Sequence, residues 1–379
     1  MKIFIVTERR ADFSRFKPIL KLIKKDKKLK YSLAVTGLHV SKKFGFTIKE
    51  IINEGFKINY KFNMFDENYY FENDGAAMTI AMSKAFNNLS RILKRDKPDL
   101  ILSGFDIAAN FAVTVCGAHM NIPVAHIQGG EVSGTIDESL RHAMTKFSHI
   151  HFTANNETKE RLIRMGEMPK YIFPVGCPSI DALISEKLVS REKILEKFKI
   201  DILKPFTVII QHPVTTELKK SKHQIMETIY AVKKFPIQHL VVFPNNDAGS
   251  KNILKSILKN NLNYTPTLNL SEYKTILKSC SVLIGNSSSG IHEASTFKTP
   301  VINIGTRQSG RMKPKNIINV NHNQREICKA IKKTLNINFL KGIKNLKNPY
   351  GDGSSAKKIV KILKKINLKK INIQKQITY

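Results

Sequence analysis

The feature that most constrains the fold is an alternation of short apolar runs with longer helical stretches, which continues along most of the 379-residue chain. The runs are rich in Ile, Val and Leu, and helical patterns separate them, for example at 13–25, 76–93 and 108–120. This alternation is typical of parallel sheets with helices on both faces. The predicted strands are 3–7, 33–36, 100–103, 123–127, 149–152, 172–175, 207–210, 239–243, 282–284 and 301–304.

The length of the chain and a change of pattern near residue 184 predict two domains. A charged helical stretch at 184–203, which ends before Pro205, separates two series of strands. We therefore expect an α/β fold with two doubly wound, Rossmann-like domains facing a cleft at the carboxyl ends of their strands. The expected ranges are 1–184, 185–355 and a basic C-terminal helix and tail at 356–379.

The composition is strongly basic, with a net charge of +33, but the lysines are scattered over almost every predicted helix. Because no recognised nucleic-acid-binding module accompanies them, we expect no nucleic-acid partner. No run of about 18 apolar residues occurs, so we expect no membrane span. The four cysteines lie far apart without a CxxC pair, which is typical of thiols in a reducing compartment. We expect a cytoplasmic protein without a metal site or cofactor.

Residues 285–290, Gly-Asn-Ser-Ser-Ser-Gly, follow an apolar run and precede a helical segment, which predicts a strand–loop–helix turn. Small residues let the backbone approach a ligand, and N–H groups at a helix start favour an anion such as a diphosphate. Ser287 and Ser288 add hydroxyls, and Glu293 follows about one helical turn later, where it can accept hydrogen bonds from sugar hydroxyls. An ordinary loop with a helix cap fits this segment equally well.

Polar residues also follow the first three predicted strands. Arg10 and Ser14 are candidates for binding phosphate, whereas Asp12 is either a site residue or a helix cap. Asp106 follows the third strand, where it is either a site residue or the N-cap of the next helix. His39 follows the second strand, and a lone histidine is more often structural than catalytic.

The segment 126–142 combines a glycine pair, three carboxylates, two histidines and an arginine. Asp137 and Arg141 are four positions apart and share a face on a helix; a surface ion pair would explain this pair but not the glycines. Clustered carboxylates in a cleft are where raised pKa values and acid–base roles arise. The candidate site residues here are Gln128, Glu131, Asp137 and Arg141.

Strand ends in the second half carry further residues of ligand-contacting type. His212 precedes a proline at the end of one strand, Asn245 follows the next, and Arg307 follows the last and is suited to neutralising a phosphate. Because such residues recur at successive strand ends, we predict that they line one cleft.

Seven segments in order along the chain carry a resemblance to a known family. They are Arg-Ala-Asp-Phe-Ser at 10–14, Gly-Gly-Glu-Val-Ser-Gly-Thr-Ile-Asp-Glu-Ser-Leu-Arg-His at 129–142, Gln-His-Pro-Val-Thr-Thr at 211–216, Phe-Pro-Asn-Asn-Asp-Ala-Gly-Ser at 243–250, Gly-Asn-Ser-Ser at 285–288, Gly-Thr-Arg-Gln at 305–308 and Tyr-Gly-Asp-Gly at 350–353. Together they resemble the hydrolysing UDP-N-acetylglucosamine 2-epimerases over about residues 1–365.

The resemblance implies a glycosyltransferase-B type fold, with the sugar nucleotide in the interdomain cleft. It also implies elimination of UDP across C1–C2 to give a 2-acetamidoglucal, to which water adds to yield free N-acetylmannosamine for sialic-type acid biosynthesis. This chemistry needs a base near the C2 proton and an acidic or cationic site for the departing diphosphate. Family members usually self-associate, so a homo-oligomer, either a dimer or a tetramer, is expected.

By position, the resemblance assigns catalysis mainly to the first domain and UDP binding mainly to the second. The family's catalytic carboxylates fall on Asp106 and Asp137, with Arg141 and His39 as lesser candidates. Glu131, Gln128 and His212 are further catalytic candidates in this sequence. The UDP contacts are Arg10, Ser14, His212, Asn245, Ser287, Ser288, Glu293 and Arg307, with Glu293 at the ribose.

Two positions depart from the family pattern. The family commonly has Glu at the position of Gln128, and an amide cannot act as a proton-transfer base. Ile107 stands where the family has the arginine of a Gly-Asp-Arg motif. Either Glu131 takes over proton transfer or the sugar differs, for example a 2,4-diacetamido-2,4,6-trideoxy sugar on the legionaminic-acid route. A related glycosyltransferase and a non-catalytic protein, either a UDP-sugar sensor or a basic nucleic-acid binder, are the remaining alternatives.

Overall fold

The computed structural model describes residues 1–42, 46–65, 75–245 and 247–378. The chain forms two compact units. The first unit comprises Met1–Glu131, Asp137–Ala182 and Tyr350–Tyr379, and the second comprises Val132–Ile136 and Leu183–Pro349.

The first unit contains a seven-stranded sheet in which all strands run parallel, in the order β3-β2-β1-β4-β5-β6-β7. Successive residues of β1 alternate between two cores: Ile3 and Ile5 pack on one face, and Phe4 and Val6 on the other. Both faces are therefore covered. The strands are β1 (Lys2–Thr7), β2 (Lys30–Val35), β3 (Tyr60–Lys61), β4 (Leu100–Gly104), β5 (Val124–Ile127), β6 (Ile150–Thr153) and β7 (Ile172–Pro174).

The helices that follow these strands cover the sheet and begin near its carboxyl edge. They are α1 (Arg10–Lys24), α2 (Ile48–Asn53), α3 (Gly75–Asp96), α4 (Ala108–His119), α5 (Ile136–Phe147), α6 (Asn156–Arg164) and α7 (Pro178–Ser185). Short 3-10 helices lie at Gly37–Val40 and Pro169–Tyr171.

The second unit repeats this plan with a six-stranded parallel sheet in the order β10-β9-β8-β11-β12-β13. Its strands are β8 (Phe206–Ile210), β9 (Gln238–Val242), β10 (Tyr264–Thr265), β11 (Val282–Gly285), β12 (Val301–Ile304) and β13 (Ile317–Val320). Its helices are α8 (Arg191–Lys197), α9 (Ser221–Val232), α10 (Ser250–Lys259), α11 (Leu270–Ser279), α12 (Ser288–His292), α13 (Gln324–Thr334) and α14 (Ile337–Ile343), with 3-10 helices at Leu218–Lys220 and Ala294–Phe297. The predicted α/β class is confirmed.

The expected ranges 185–355 and 356–379 differ from this division, because the chain returns to the first unit at Tyr350. There α15 (Ser355–Lys365) buries Ile359 and Leu363 in the core that it shares with α1. The Asp181 carboxylate accepts hydrogen bonds from the N–H groups of Ser355, at 3.1 Å, and Ala356, at 2.7 Å. The C-terminal segment, which ends in a 3-10 helix at Leu368–Lys370 and an extended tail, is therefore part of the first core.

Two further expectations differ in detail. The charged stretch 184–203 is not one helix but the end of α7 and the separate α8. Among the described residues, no helix is both long and apolar enough to cross a lipid bilayer.

Candidate active site

The ends of β4 and β5 bring two of the catalytic candidates, Asp106 and Gln128, to one edge of the sheet. Gly104 pairs with Ile127 in parallel register, so Asp106 and Gln128 both leave the sheet at its carboxyl edge. Phe105, Asp106 and Gln128 all have positive φ values, of 72°, 45° and 62°. Non-glycine residues rarely adopt this conformation, and it occurs preferentially at functional sites.

Burial of Phe105 stabilises the strained turn that carries Asp106. The Phe105 ring is almost fully buried and packs edge-on against Phe16 with ring centroids 4.9 Å apart. The guanidinium of Arg15 lies 5.1 Å from the Phe105 ring centroid, within the range of a cation–π contact. Packing of the phenylalanine thus fixes the direction of the next side chain.

Arg141 is the centre of a cluster of carboxylates. Its side chain is only 4% exposed, forms an ion pair with Asp106 and donates a 2.8 Å hydrogen bond from Nη1 to the carbonyl of Glu131. Burial lowers the pKa of Arg141, but the charges of Asp106, Glu131 and Asp137 outweigh burial, so its pKa is raised. Arg141 therefore forms a largely buried ion pair with Asp106, and the N-cap of α4 is Ile107.

Two uncharged polar side chains are buried beside this cluster. Gln128 Oε1 and His126 Nε2 have no hydrogen-bond partner among the described residues. Burial lowers the pKa of His126 to about 3, so the imidazole is neutral near pH 7. Leaving buried polar groups unpaired is costly, so the two unpaired atoms are an unusual feature of the end of β5.

Of the residues that follow β1, Asp12 caps α1, whereas Arg10 pairs with a carboxylate. Asp12 accepts hydrogen bonds of 2.8 Å from the N–H groups of both Glu8 and Arg9, which is the capping alternative. Arg10 forms an ion pair with Glu50 through Nε and Nη2.

Ser14 and His39 also bond within the first unit. The Ser14 hydroxyl donates to the carbonyl of Ala11 at 2.8 Å. His39 is buried, with its ring nitrogens 3.1 Å from Thr7 Oγ1 and 2.7 Å from Thr47 Oγ1. This environment favours a structural role for His39.

In the second unit, Asn286 organises the end of two neighbouring strands. Ile210 pairs with Gly285, so the loops after β8 and β11 run side by side. The Asn286 side chain accepts from the N–H of His212 at 2.7 Å and donates to the His212 carbonyl at 2.9 Å. Arg307 Nη1 donates to the Asn286 carbonyl at 3.3 Å. Asn286 thus joins His212 and Arg307 to the turn at 285–290.

A chain of polar contacts extends from His212. Its Nδ1 lies 3.1 Å from Asn245 Oδ1 and 3.2 Å from the Asn245 backbone nitrogen. Asn245 Nδ2 donates to Asp247 Oδ2 at 2.7 Å, and Arg307 Nη2 lies 3.9 Å from that same oxygen. Four residues that follow three strands therefore form one connected group.

The serines and the glutamate of the turn lie at opposite ends of α12. Ser287 is the N-cap and accepts a 3.4 Å hydrogen bond from the N–H of Ser289, so the capping alternative is realised there. Ser288 begins the helix, and Glu293 ends it. Burial, followed by the charge of Glu293, raises the pKa of Tyr273 well above its usual value, so Glu293 lies near that phenol.

The structure therefore brings together two groups of predicted residues. The first unit joins Asp106, Glu131, Asp137 and Arg141, and the second joins His212, Asn245 and Arg307 next to Ser287. Arg10 and Ser14 lie in the first unit on α1. Sequence reasoning did not single out Phe105, His126, Asp247 or Asn286, although His126, Asp247 and Asn286 lie within the segments 126–142, 243–250 and 285–290 that it marked. Across the described residues, no group of three His, Cys, Asp or Glu could hold a metal ion.

Comparison with known proteins identifies the family. The UDP-N-acetylglucosamine 2-epimerase family profile matches residues 21–364. A hydrolysing UDP-N,N'-diacetylbacillosamine 2-epimerase of Legionella pneumophila is 32% identical over 97% of this chain and 96% of its own length. A UDP-N-acetylglucosamine 2-epimerase of Neisseria meningitidis is also 32% identical, over 89% of this chain and 88% of its own.

A solved structure agrees with the fold. The crystal structure of a UDP-GlcNAc 2-epimerase from Neisseria meningitidis bound to UDP-GlcNAc matches with a TM-score of 0.84 at 18% identity, covering 97% of this chain and 100% of the other. Two α/β domains with parallel sheets, as in a glycosyltransferase-B-like fold, are thus common to both. With the family profile and the 32% identical relatives, this chain belongs to the UDP-N-acetylglucosamine 2-epimerase family.

Proposed function

We propose that this protein is a hydrolysing UDP-sugar 2-epimerase. The main support is its 32% identity, over 97% of the chain, to a relative named as a hydrolysing epimerase. In the proposed reaction, a base removes the C2 proton of the sugar while the C1–oxygen bond to the diphosphate breaks. UDP leaves with the electron pair of that bond, and a 2-acetamidoglucal remains. Water then adds its hydroxyl to C1, and a proton returns to C2 on the opposite face.

The roles of individual residues follow from their chemistry. We assign proton transfer to Asp106, Asp137 and Glu131, which share the field of the buried Arg141 cation. Gln128 serves as a hydrogen-bonding group, because an amide takes up no proton near neutral pH. The proposed UDP contacts are Arg10, Ser14, His212, Asn245, Ser287, Ser288, Glu293 and Arg307, with His212 also assisting departure of the diphosphate.

We propose UDP-N-acetylglucosamine as the substrate and free N-acetylmannosamine as the product. The Neisseria relative carries the name of that activity. A second candidate is the UDP-2,4-diacetamido-2,4,6-trideoxy sugar, which is supported by the name of the Legionella relative and by the amide at Gln128. An additional 4-acetamido group offers a donor and an acceptor that an amide can pair with, whereas a carboxylate can only accept.

Incubation of the protein with each UDP-sugar in D2O tests both proposals. For the true substrate, we expect phosphorus NMR to show release of UDP. We also expect a free C2-inverted sugar that carries deuterium at C2. The sugar that gives the higher kcat/KM identifies the substrate. Intact UDP-sugar in both reactions would refute the proposed activity, and transfer of the sugar to an added acceptor would indicate a glycosyltransferase.

A further inference from the structure

The C-terminal tail, residues 366–378, runs past the amino ends of two strands of the first unit. Tyr171, just before β7, donates its hydroxyl to the carbonyl of Lys370 at 3.0 Å. His149, just before β6, has Nε2 3.1 Å from the carbonyl oxygen of Ile373. The tail therefore lies at the edge of the sheet opposite to the one that carries Asp106.

Lys375 anchors this tail to the end of α5. Its ammonium group donates to the carbonyls of Thr145, at 2.9 Å, and Ser148, at 2.5 Å, and lies 2.6 Å from Glu167 Oε2. Three partners match the three N–H donors of a lysine. A cation is also favoured at a helix C-terminus, where unpaired carbonyls concentrate negative charge.

The partner carboxylate makes this contact costly to lose. Glu167 is 2% exposed, and it also receives His151 Nε2 at 3.0 Å and Lys146 Nζ at 3.2 Å. Burial raises the pKa of Glu167, but His151 and Lys375 outweigh it and lower the pKa to about 2. Glu167 is therefore ionised at neutral pH, and a buried charge that loses a partner is strongly destabilising.

Helix α5, whose end Lys375 contacts, also carries Asp137 and Arg141 of the cluster around Asp106. Asp137 lies in the first turn of α5, Arg141 follows one turn later, and Thr145 follows after another. Thr145 Oγ1 donates to the carbonyl of Arg141 at 3.1 Å. Lys375 thus holds the C-terminal end of a helix whose N-terminal half presents Asp137 and Arg141.

We propose that Lys375 is a positioning residue: by binding one carbonyl in the last turn of α5, the carbonyl just after α5 and the Glu167 carboxylate, it fixes where α5 holds Asp137 and Arg141. Its effect on turnover rests on the proposed function, in which these two residues surround the reacting sugar. Its effect on the order of α5 does not.

Lys375→Met tests this in the full chain, because methionine keeps an apolar stem but removes the charge and donors. We expect backbone amides of Ile136–Phe147 to exchange about tenfold faster or more in the ligand-free protein, with amides of 282–304 in the second unit unchanged. We expect kcat to fall about 10- to 100-fold, with KM and UDP affinity within about twofold. Lys369→Met, on the exposed part of the same tail, is the matched control and should resemble the wild type.

Lys375→Arg should recover most of kcat, because guanidinium also donates to carbonyls and carboxylate. Unchanged α5 exchange and kcat in Lys375→Met would overturn the proposal. If that variant unfolds, Lys375→Met with Glu167→Gln, which leaves no unpaired carboxylate, gives the same comparison. A wild-type protein without turnover would refute the proposed function, while the exchange data would still decide the role of Lys375.

Discussion

The backbone conformation of Gly285 is required for the turn at 285–290. Gly285 has φ +133°, and a Cβ there would lie 2.1 Å from the carbonyl oxygen of Ile210. We expect Gly285→Ala to lower the free energy of unfolding by about 3 kcal/mol or more, because strain and clash add. Urea unfolding followed by circular dichroism measures this. Gly342→Ala is the control, since nothing lies within 4 Å of its added Cβ; equal losses in both variants would contradict the argument.

Asp137 is the residue whose chemical role is easiest to separate from its structural one. Asp137→Asn keeps the shape of the side chain but removes proton transfer, so we expect kcat to fall by about 10²- to 10⁴-fold. UDP affinity, measured by calorimetry, should stay within about twofold. Glu138→Gln, the adjacent carboxylate on α5, is the matched control and should keep most of the activity. Unchanged turnover in Asp137→Asn would remove Asp137 from the catalytic residues.

Sequence patterns predicted the strands and helices better than they predicted the contacts between side chains. Within the described residues, three strands were not predicted, β3, β10 and β13, and all three are outer strands of their sheets. Outer strands are short or half-exposed and lack the continuous apolar run that marks a central parallel strand. The residues at the strand ends were predictable by position. Their partners were not, because pairs such as His212 and Asn286 lie 74 positions apart.

Glu167, in the segment between α6 and β7, is expected to make the stability of the first unit depend on pH. The pKa of Glu167 is lowered from 4.5 to about 2. Its stabilising contribution is therefore fully present above pH 4.5 and is lost as the pH falls toward 2. We expect wild type to exceed Glu167→Gln by about 3 kcal/mol in free energy of unfolding at pH 7. Urea titrations should show this difference shrinking between pH 4.5 and pH 3.

Glu160→Gln, an exposed carboxylate on α6, makes the same change of charge and serves as the control. Its unfolding free energy should stay within about 0.5 kcal/mol of wild type across this range. A difference between wild type and Glu167→Gln that is constant with pH would show that the buried carboxylate does not titrate as inferred.

Across the whole molecule, the order of the chain differs from the order of the units. The chain enters the second unit at Val132–Ile136, returns to the first at Asp137, and enters the second again at Leu183. From Tyr350 it belongs to the first unit. Apolar periodicity indicates that a helix such as α15 is buried, but not in which core. This is why the sequence predicted three consecutive ranges where the first unit is in fact discontinuous.

The return of the chain is expected to be essential to the first unit. A chain that ends at residue 349 lacks α15 and with it the buried Ile359, Val360 and Leu363. Each such side chain contributes about 1.5–3 kcal/mol, and their sum approaches the whole stability of a typical domain. We expect amides of β1, β4 and β5 to lose exchange protection, while those of β8, β11 and β12 keep it. A chain ending at Ile377 retains α15 and Lys375 and should resemble the full protein; protected β1 amides in the 1–349 chain would show that the first core forms without α15.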